Sequence, residues 1–197
     1  MSAQPSRAFA TPKEYLALEA VADLKSEYIS GEISAMSGAS RRHERISVNL
    51  IGILFVALQD KPCRTVGGNM RVRVRKTNYL YPDLTLVCGD ELYDDSGDLD
   101  ALLNPTVVFE ILSHTMESRD RGIKWRLYQQ VESVDQYVMI HQDTACVEVF
   151  TRQSATDWLV HTEVGLGGIL SLRSPGVSIP LSVLYDGIEM VRTDDEA

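Results

Sequence analysis

A short apolar run that contains one carboxylate constrains the fold of this chain more than any other stretch. Residues 106–112 are Thr-Val-Val-Phe-Glu-Ile-Leu, so Glu110 lies between Phe109 and Ile111. A run of this length predicts a central β-strand that is buried on both faces. An acid that faces a core is costly unless it is paired, hydrogen-bonded or bound to a metal ion. The run therefore predicts the middle of a sheet and a compensated charge at Glu110.

Helix and strand signals on both sides of this run predict a mixed α/β fold. Residues 11–14 (Thr-Pro-Lys-Glu) are typical of a helix start, and this helix is predicted to reach about Lys25. Ser40 is predicted to cap a second helix, whose apolar residues recur at helical spacing over 46–58. The predicted strands are 27–29, 32–36, 70–76, 80–87, 106–112, 136–141, 146–151 and 158–163.

A third helix is predicted between the last two groups of strands. It spans residues 117–131, with Ile123, Leu127 and Val131 on its core face. The connection from the Glu110 strand through this helix has a length suited to a parallel crossover, which favours helices flanking a mixed sheet. The rest is predicted as a surface loop over 89–104 and, over 165–189, a loop with one short apolar element.

Length and composition predict a single domain inside the cell. The chain has 197 residues, of which 44% are hydrophobic, and this suits one domain over 11–190, with a disordered N-terminus (1–10) and an acidic tail (191–197). No window approaches the roughly 20 apolar residues of a membrane span, and residues 1–11 show no secretion signal. The three cysteines are odd in number and widely spaced, which favours a reducing cytoplasm and argues against a disulfide framework.

The charge of the chain bears on its partners. The net charge is −9 and the isoelectric point is about 4.9. Proteins that clamp nucleic acids usually carry a basic surface, so this balance counts against tight non-specific DNA binding. Much of the acid is concentrated in residues 90–100 and 194–196, which leaves room for a local basic surface.

Two acids at strand positions form the main candidate site. Asp83 precedes one apolar run and Glu110 lies in another. Two neighbouring strands that each carry a carboxylate, together with a main-chain carbonyl and waters, suit Mg²⁺, with Mn²⁺ as a substitute. The alternative for either acid is a hydrogen bond to a neighbouring loop, and the Pro82-Asp83 pair is common in turns.

Lys124 is the candidate cation of this site. It could stabilise a transition state, and it shares one side of its predicted helix with Asp120 and Tyr128. The spacing alone favours the simpler interpretation, an Asp–Lys pair on a solvated face. Glu27 and His43 are supporting candidates, although a histidine in the first turns of an amphipathic helix is more often exposed or a capping residue.

Several short motifs in this order resemble the Uma family of restriction-endonuclease-like bacterial proteins. The matching stretches are residues 27–33 (Glu-Tyr-Ile-Ser-Gly-Glu-Ile), 36–40 with His43, 81–83 (Tyr-Pro-Asp), 110–113 (Glu-Ile-Leu-Ser), 120–124 (Asp-Arg-Gly-Ile-Lys) and 137–138 (Tyr-Val). The resemblance covers about residues 10–185. That family is similar to the PD-(D/E)XK nuclease superfamily, so the resemblance implies a restriction-endonuclease-like three-layer α/β/α fold, a Mg²⁺ requirement and a homodimer.

The resemblance also implies roles for individual residues. Asp83 and Glu110 would bind the metal together with the main chain of Ile111. The superfamily lysine normally lies two residues after the second acid, where this chain has Leu112, so Lys124 would be its replacement. Glu27 and His43 match positions that line the site, and His114 departs from the proline usual in the family.

The sequence thus predicts a Mg²⁺-dependent nuclease that hydrolyses phosphodiester bonds in DNA. The alternative is an interaction module with a nuclease fold that no longer cleaves nucleic acid. The acidic isoelectric point favours the alternative.

Overall fold

The Glu110 strand lies in the interior of a six-stranded mixed sheet in the computed structural model of the chain, which describes residues 9–36, 38–94, 99–113 and 119–190. This main sheet has the strand order β12-β11-β10-β9-β6-β3. Its strands are β3 (Cys63–Gly67), β6 (Leu84–Cys88), β9 (Val107–Leu112), β10 (Gln136–His141), β11 (Cys146–Arg152) and β12 (Trp158–Val164).

In the described parts of the chain, a second sheet and four helices pack around the main sheet. The second sheet has the order β2-β1-β5-β4-β8-β7, and its strands are β1 (Ser26–Ile29), β2 (Glu32–Ala35), β4 (Val72–Val74), β5 (Asn78–Leu80), β7 (Tyr93–Asp94) and β8 (Ala101–Leu102). The helices are α1 (Pro12–Glu19), α2 (Arg41–Ala57), α3 (π-helical Asp120–Lys124 continued by α-helical Trp125–Tyr128) and α4 (Leu181–Leu184). Strands β13 (Ile169–Leu172) and β14 (Val177–Pro180) form a separate hairpin.

The predicted crossover is confirmed. Strands β9 and β10 are parallel, with Glu110 beside Met139, whereas β9 pairs with β6 antiparallel. Alternate residues of β9 point to different cores: Phe109 packs with α2 in one core, and Val108 packs with Tyr128 of α3 in the other. Because side chains alternate along a strand, Glu110 faces the same side as Val108, toward α3.

The predicted helix starts are confirmed, but the first helix is shorter than expected. Thr11 caps α1 in a reciprocal pair of hydrogen bonds with Glu14, and Ser40 caps α2. Helix α1 ends at Glu19 rather than near Lys25. The Glu19 carboxylate accepts a hydrogen bond from the main-chain N–H of Ser26 (3.0 Å), which holds the chain in a turn toward β1.

The predicted strand over residues 80–87 is wrong, because the chain changes sheet within it. Leu80 ends β5 of the second sheet, and Leu84 begins β6 of the main sheet. Pro82 has no N–H with which to continue a ladder. The Tyr-Pro-Asp motif therefore forms the junction between the two sheets and places Asp83 at the start of β6.

Two segments predicted mainly as loops contain strands. Within residues 89–104, β7 and β8 pair with each other, and β8 extends the second sheet beside β4. Within 165–189, the β13–β14 hairpin and α4 pack on the core that α2 covers. The strands in both segments are short, and glycine or acidic residues interrupt the sequence around them, which hides the two-residue period of a strand.

The cysteine prediction is also wrong, because Cys63 and Cys88 form a disulfide. The two residues face each other across the antiparallel β3–β6 pair, although they are 25 residues apart in sequence. Only strand pairing brings them together. The cysteine pattern therefore no longer supports the predicted cytoplasmic location.

Among the helices of the described residues, none is long and apolar enough to cross a membrane. The predicted acidic tail lies outside the described residues, as does most of the predicted disordered N-terminus. Phe9 and Ala10 of that N-terminus are described: Phe9 forms a bridge with Glu32, and the Ala10 N–H donates to the Gly31 carbonyl (2.9 Å).

Candidate active site

Asp83 and Glu110 occupy facing positions at the junction of the two sheets. Leu84 of β6 is paired with Phe109 of β9, so the next position along this register sets Asp83 opposite Glu110. Asp83 Oδ2 accepts a hydrogen bond of 2.6 Å from the main-chain N–H of Ile111. Two carboxylates thus lie side by side at the start of β6.

Lys124 reaches these acids from α3. Its Nζ lies 3.3 and 3.2 Å from the two carboxylate oxygens of Glu110, 3.0 Å from Glu27 Oε1 and 3.1 Å from Asp120 Oδ1. Lys124 is only 3% exposed, and Glu27, Glu110 and Asp120 are equally buried. One ammonium group therefore neutralises part of the charge of three carboxylates.

The predicted core face of α3 is confirmed for Leu127 and Val131, which pack in the core with Tyr128, but it is wrong for Ile123. Ile123, assigned to the core face, is 50% exposed, whereas Asp120 and Lys124 are buried with Tyr128. The solvated Asp–Lys pair favoured by spacing is therefore buried. The turn Asp120–Lys124 of α3 is π-helical, a conformation frequent at functional sites, and the Tyr137 hydroxyl donates a hydrogen bond to the Asp120 carbonyl (3.1 Å). The predicted start of this helix and His114 lie outside the described residues.

Glu27 links the second sheet to the site. Its Oε1 accepts a hydrogen bond from the main-chain N–H of Tyr81 (3.2 Å) in addition to its ion pair with Lys124. Its Oε2 lies 3.3 Å from Arg119 Nε in an ion pair, but within the described part of the chain neither atom has a hydrogen-bond partner. The Arg119 contact was not predicted from the sequence.

His43 approaches Asp83 from the first turn of α2. Its Nε2 lies 3.1 Å from Asp83 Oδ1, and its main-chain N–H donates to the capping hydroxyl of Ser40. Burial disfavours the imidazolium, but the hydrogen bond and negative charge of Asp83 outweigh it, so the pKa of His43 is raised. The histidine is therefore both part of the helix start and a partner of the candidate ligand.

The buried charges shift one another's protonation. Burial raises the pKa of Glu110 well above its ordinary value of 4.5, since the opposing attraction of Lys124 does not offset it and nearby carboxylates add to it. Burial also raises the pKa of Asp120. Burial opposes the charge of Lys124, but its three carboxylates raise its pKa well above 10.5. Perturbed groups that share a cleft are typical of functional sites.

All the predicted site residues line one cleft of about 870 Å³. These residues are Glu27, His43, Asp83, Glu110, Ile111 and Lys124. The charged lining also includes Lys25, Glu44 and Asp120, so the described part of the cleft has five acidic side chains and two lysines. The cleft is acidic, and a polyanion entering it requires an additional cation.

The donor chemistry of the cleft suits Mg²⁺. The groups beside Asp83 and Glu110 are carboxylate and main-chain oxygens, which this ion prefers, and it often needs only one or two carboxylates. In the described residues, the cleft acids do not bring three ligand atoms within 4.8 Å of one another, and the Lys124 ammonium lies among them. The residues fit a two-carboxylate site rather than a closed cage.

A mixed sheet flanked by helices, with facing acids on two inner strands and a lysine from α3 beside them, defines a restriction-endonuclease-like α/β protein. A putative nuclease of the DUF820 family from Anabaena variabilis has a crystal structure that superposes with a TM-score of 0.72 at 18% identity, covering 89% of this chain and 97% of that one. This likeness confirms the predicted fold class.

The chain belongs to the Uma2 family, described as putative restriction endonucleases, whose model matches residues 12–182. The uncharacterised protein slr1290 of Synechocystis sp. is 30% identical over 179 residues, which cover 90% of this chain and 92% of that protein. A second uncharacterised protein of the same organism, sll1609, is 30% identical over 156 residues, or 79% of this chain and 88% of that one. The family resemblance found in the sequence is confirmed.

Proposed function

We propose that this protein is a Mg²⁺-dependent nuclease that hydrolyses phosphodiester bonds in DNA. The observation that carries the proposal is the facing pair of Asp83 and Glu110 at the cleft, with Lys124 3.2 Å from Glu110. The fold and family support the nuclease class. The acidic cleft supports the need for a divalent cation, because without one it would repel a phosphate backbone.

In this proposal Asp83, Glu110 and the carbonyl of Ile111 hold the metal. The N–H of Ile111 points to Asp83, and because the N–H and C=O of one strand residue point to the same edge, its carbonyl faces the same side. A bound Mg²⁺ would activate a water molecule and neutralise charge on the phosphate. Mn²⁺, which accepts similar ligands, would substitute.

The remaining residues position these groups. Lys124 would stabilise the negative charge that develops on the phosphoryl oxygens, since its ammonium already lies at the cleft face of Glu110. Glu27 also holds the ammonium, at 3.0 Å from its Oε1. His43 Nε2 contacts Oδ1 of Asp83 at 3.1 Å and so fixes the orientation of this carboxylate.

The direct test is cleavage of supercoiled plasmid and of single-stranded DNA with Mg²⁺ or Mn²⁺. We expect Glu110→Gln and Asp83→Asn each to reduce the rate by at least about 100-fold, since each removes a ligand charge. Glu148→Gln is the matched control. Glu148 is another acid on a strand of the main sheet, and it contacts Arg121 of α3 but does not line the cleft. Full activity of Glu110→Gln would contradict the assignment.

Metal binding can be tested without a substrate. A ligand that binds only the folded state raises the melting temperature. We expect Mn²⁺ to raise it in the wild type and to leave the Asp83→Ala/Glu110→Ala double variant unchanged. An equal rise in both proteins would place the metal elsewhere.

The second candidate is a nuclease-fold interaction module without cleavage activity. The observation that favours it is that the Lys124 ammonium lies within 3.3 Å of three carboxylates. The ammonium already neutralises part of the negative charge of this cluster without a metal ion. This candidate predicts no metal-dependent cleavage of any nucleic acid and partner binding that survives Glu110→Ala.

We further propose that the protein forms a homodimer. Three apolar side chains of α2 support an interface: Val48, Phe55 and Val56 are 58%, 68% and 67% exposed. Light scattering after size-exclusion chromatography tests this, with Phe55→Glu expected to yield monomers. The cytoplasmic location stays a prediction from the sequence.

A further inference from the structure

A second group of potential metal ligands lies outside the cleft, on the hairpin of β10 and β11. His141, Cys146 and Glu148 each offer one donor atom, and these three atoms lie within 4.8 Å of one another. In the described residues, no other group of three such donors is this close. None of the three lines the cleft, and the proposed nuclease function uses none of them.

Strand geometry brings these donors together. Ile140 of β10 is paired with Val147 of β11, so the next position sets His141 opposite Cys146. Glu148 is two residues after Cys146 and points to the same face of the sheet. Two donors at i and i+2 on one strand and a third on its neighbour form a triangular arrangement, and the Nε2 of His141 lies 2.9 Å from Glu148 Oε1.

The backbone of this hairpin is held in place from the other face. The Tyr185 hydroxyl lies 2.8 Å from the His141 carbonyl and 2.9 Å from the Cys146 carbonyl, and it accepts a hydrogen bond from the Cys146 N–H (3.3 Å). One side chain therefore fixes the positions of two of the three donor residues. Rigid backbone support of this kind keeps donors close before a ligand arrives.

The donor set differs in chemistry from that of the cleft. An imidazole, a thiol and a carboxylate suit Zn²⁺ and similar transition metals, whereas oxygen donors alone suit Mg²⁺. Ligand atoms of a tetrahedral zinc site lie roughly 3.3–3.8 Å apart, given bonds of about 2.0–2.3 Å. Small side-chain rotations can close the observed group to this size. All three residues are half-buried, which leaves access from solvent.

We propose that His141, Cys146 and Glu148 bind one Zn²⁺ ion or a similar transition-metal ion, with water as the fourth ligand. The Cys146 thiol gives its proton to the solvent on binding, and the imidazole binds in its neutral form. The proposal does not depend on the proposed nuclease function.

Arg121 competes with the metal for the same atoms. It makes an ion pair with both carboxylate oxygens of Glu148, one at 2.8 Å, and its guanidinium lies 3.0 Å from His141 Nε2. Its side chain is 33% exposed, so it can turn toward solvent as the metal enters. Arg121 belongs to the π-helical turn of α3, next to Asp120 of the cleft. Metal binding thus replaces one contact between α3 and the hairpin.

The test is titration of the purified, full-length protein with Co²⁺, a spectroscopic probe of zinc sites, followed by competition with Zn²⁺. We expect one equivalent of Co²⁺ to produce a thiolate-to-cobalt absorption band, and Zn²⁺ to displace it. Cys146→Ser abolishes the band, and His141→Ala weakens binding at least about tenfold. Arg121→Ala tightens Zn²⁺ binding about tenfold, because it removes the competing cation.

Two control variants separate this site from other metal ligands. His161→Ala removes a histidine paired with Glu163 at 2.8 Å on β12, where no cysteine is present, and leaves the cobalt band unchanged. Glu110→Gln, in the cleft, also leaves it unchanged, so failure of the cleft proposal does not affect this result. The absence of a thiolate band in the wild type, or an equal band in Cys146→Ser that retains its circular dichroism spectrum, overturns the proposal.

Discussion

Glu110 and Glu148 both contact a cation that α3 supplies, yet the protein shifts their pKa values in opposite directions. Burial raises the pKa of Glu110, which shares Lys124 with two other carboxylates. The hydrogen bond from Arg121 lowers the pKa of Glu148, with a further contribution from His141. The two cations, Arg121 and Lys124, belong to the same π-helical turn, so one element contacts both acids.

The difference shows that a nearby cation does not by itself fix the charge of an acid. Glu110 is 2% exposed and has like charges around it, whereas the Glu148 side chain is 16% exposed and contacts Arg121 and His141, which favour its charge. Desolvation therefore dominates in the cleft, and direct hydrogen bonding dominates at the hairpin. A strained set of charges of this kind is what a metal or a substrate can relieve.

The largest expected effect comes from removing each cation in turn. Lys124→Met leaves three buried carboxylates without their ammonium group, so we expect the free energy of unfolding to fall by about 3–5 kcal/mol. Arg121→Met breaks a more exposed pair, and we expect a loss of about 0–1 kcal/mol. Urea unfolding at neutral pH, followed by tryptophan fluorescence, measures both. An equal loss of unfolding free energy in the two variants would contradict the stated difference between the buried Lys124 cluster and the more exposed Arg121 pair.

A smaller effect, with opposite signs, is expected from neutralising each acid. Glu110→Gln replaces a carboxyl group whose pKa is raised because the folded protein disfavours its charge, so the variant should be more stable than the wild type at neutral pH without metal. Glu148→Gln replaces a carboxyl group whose pKa is lowered because the folded protein favours its charge, so this variant should be less stable. Changes on the order of 1 kcal/mol would shift the melting temperature by roughly 2–4 °C in each direction. A destabilised Glu110→Gln would show that its pairing with Lys124 outweighs its burial.

The same comparison predicts the dependence of stability on pH. A raised pKa at Glu110 means that its contribution to stability is complete below pH 4.5 and is lost as the pH rises toward the folded-state value. The lowered pKa of Glu148 gives a contribution that is present above pH 4.5 and is lost as the pH falls through the folded-state value. Melting temperatures from pH 3 to 9 measure these contributions. The loss of stability with rising pH should be smaller in Glu110→Gln than in the wild type, and the loss with falling pH should be smaller in Glu148→Gln.

The smallest expected effect is a change in the pKa of His43. Because Asp83 raises this pKa through both a hydrogen bond and its charge, Asp83→Asn should lower it. Glu44 acts through charge alone, so Glu44→Gln should lower the pKa less. Titration of the imidazole proton resonances by NMR measures both changes. If Asp83→Asn leaves the pKa unchanged, the contact at 3.1 Å does not control the charge of His43.

Part of the fold was predictable from the sequence because, in α1, α2 and β9, the local sequence signals agree with the observed structure. The caps at Thr11 and Ser40 were identified from residue type, and both helices begin there. The apolar run around Glu110 was predicted to be a buried strand, and every residue of β9 is buried. The order of the short motifs identified the family before any geometry was known.

The predictions that failed are those in which long-range packing overrides a local pattern. Helical spacing assigned Ile123 to the core, but Asp120 and Lys124 of the π-helical turn are buried there and Ile123 is 50% exposed. Cys63 and Cys88 show no pairing signal in the sequence and meet only through β3 and β6. The catalytic and metal-binding roles of the cleft residues stay predictions for the experiments proposed above.

The sequence by itself determined which residue types were present for chemistry, where two helices begin and which strand lies at the centre of the sheet, since these depend on nearest neighbours and residue type. The tertiary structure alone decided that Asp83 faces Glu110, that Lys124 is buried among three acids, and that Arg121 meets His141 and Glu148. These contacts join residues 14 to 97 positions apart or depend on which helix face is covered. Periodicity shows which side chains share a face, but only the packing of the two sheets against α3 shows which face meets water.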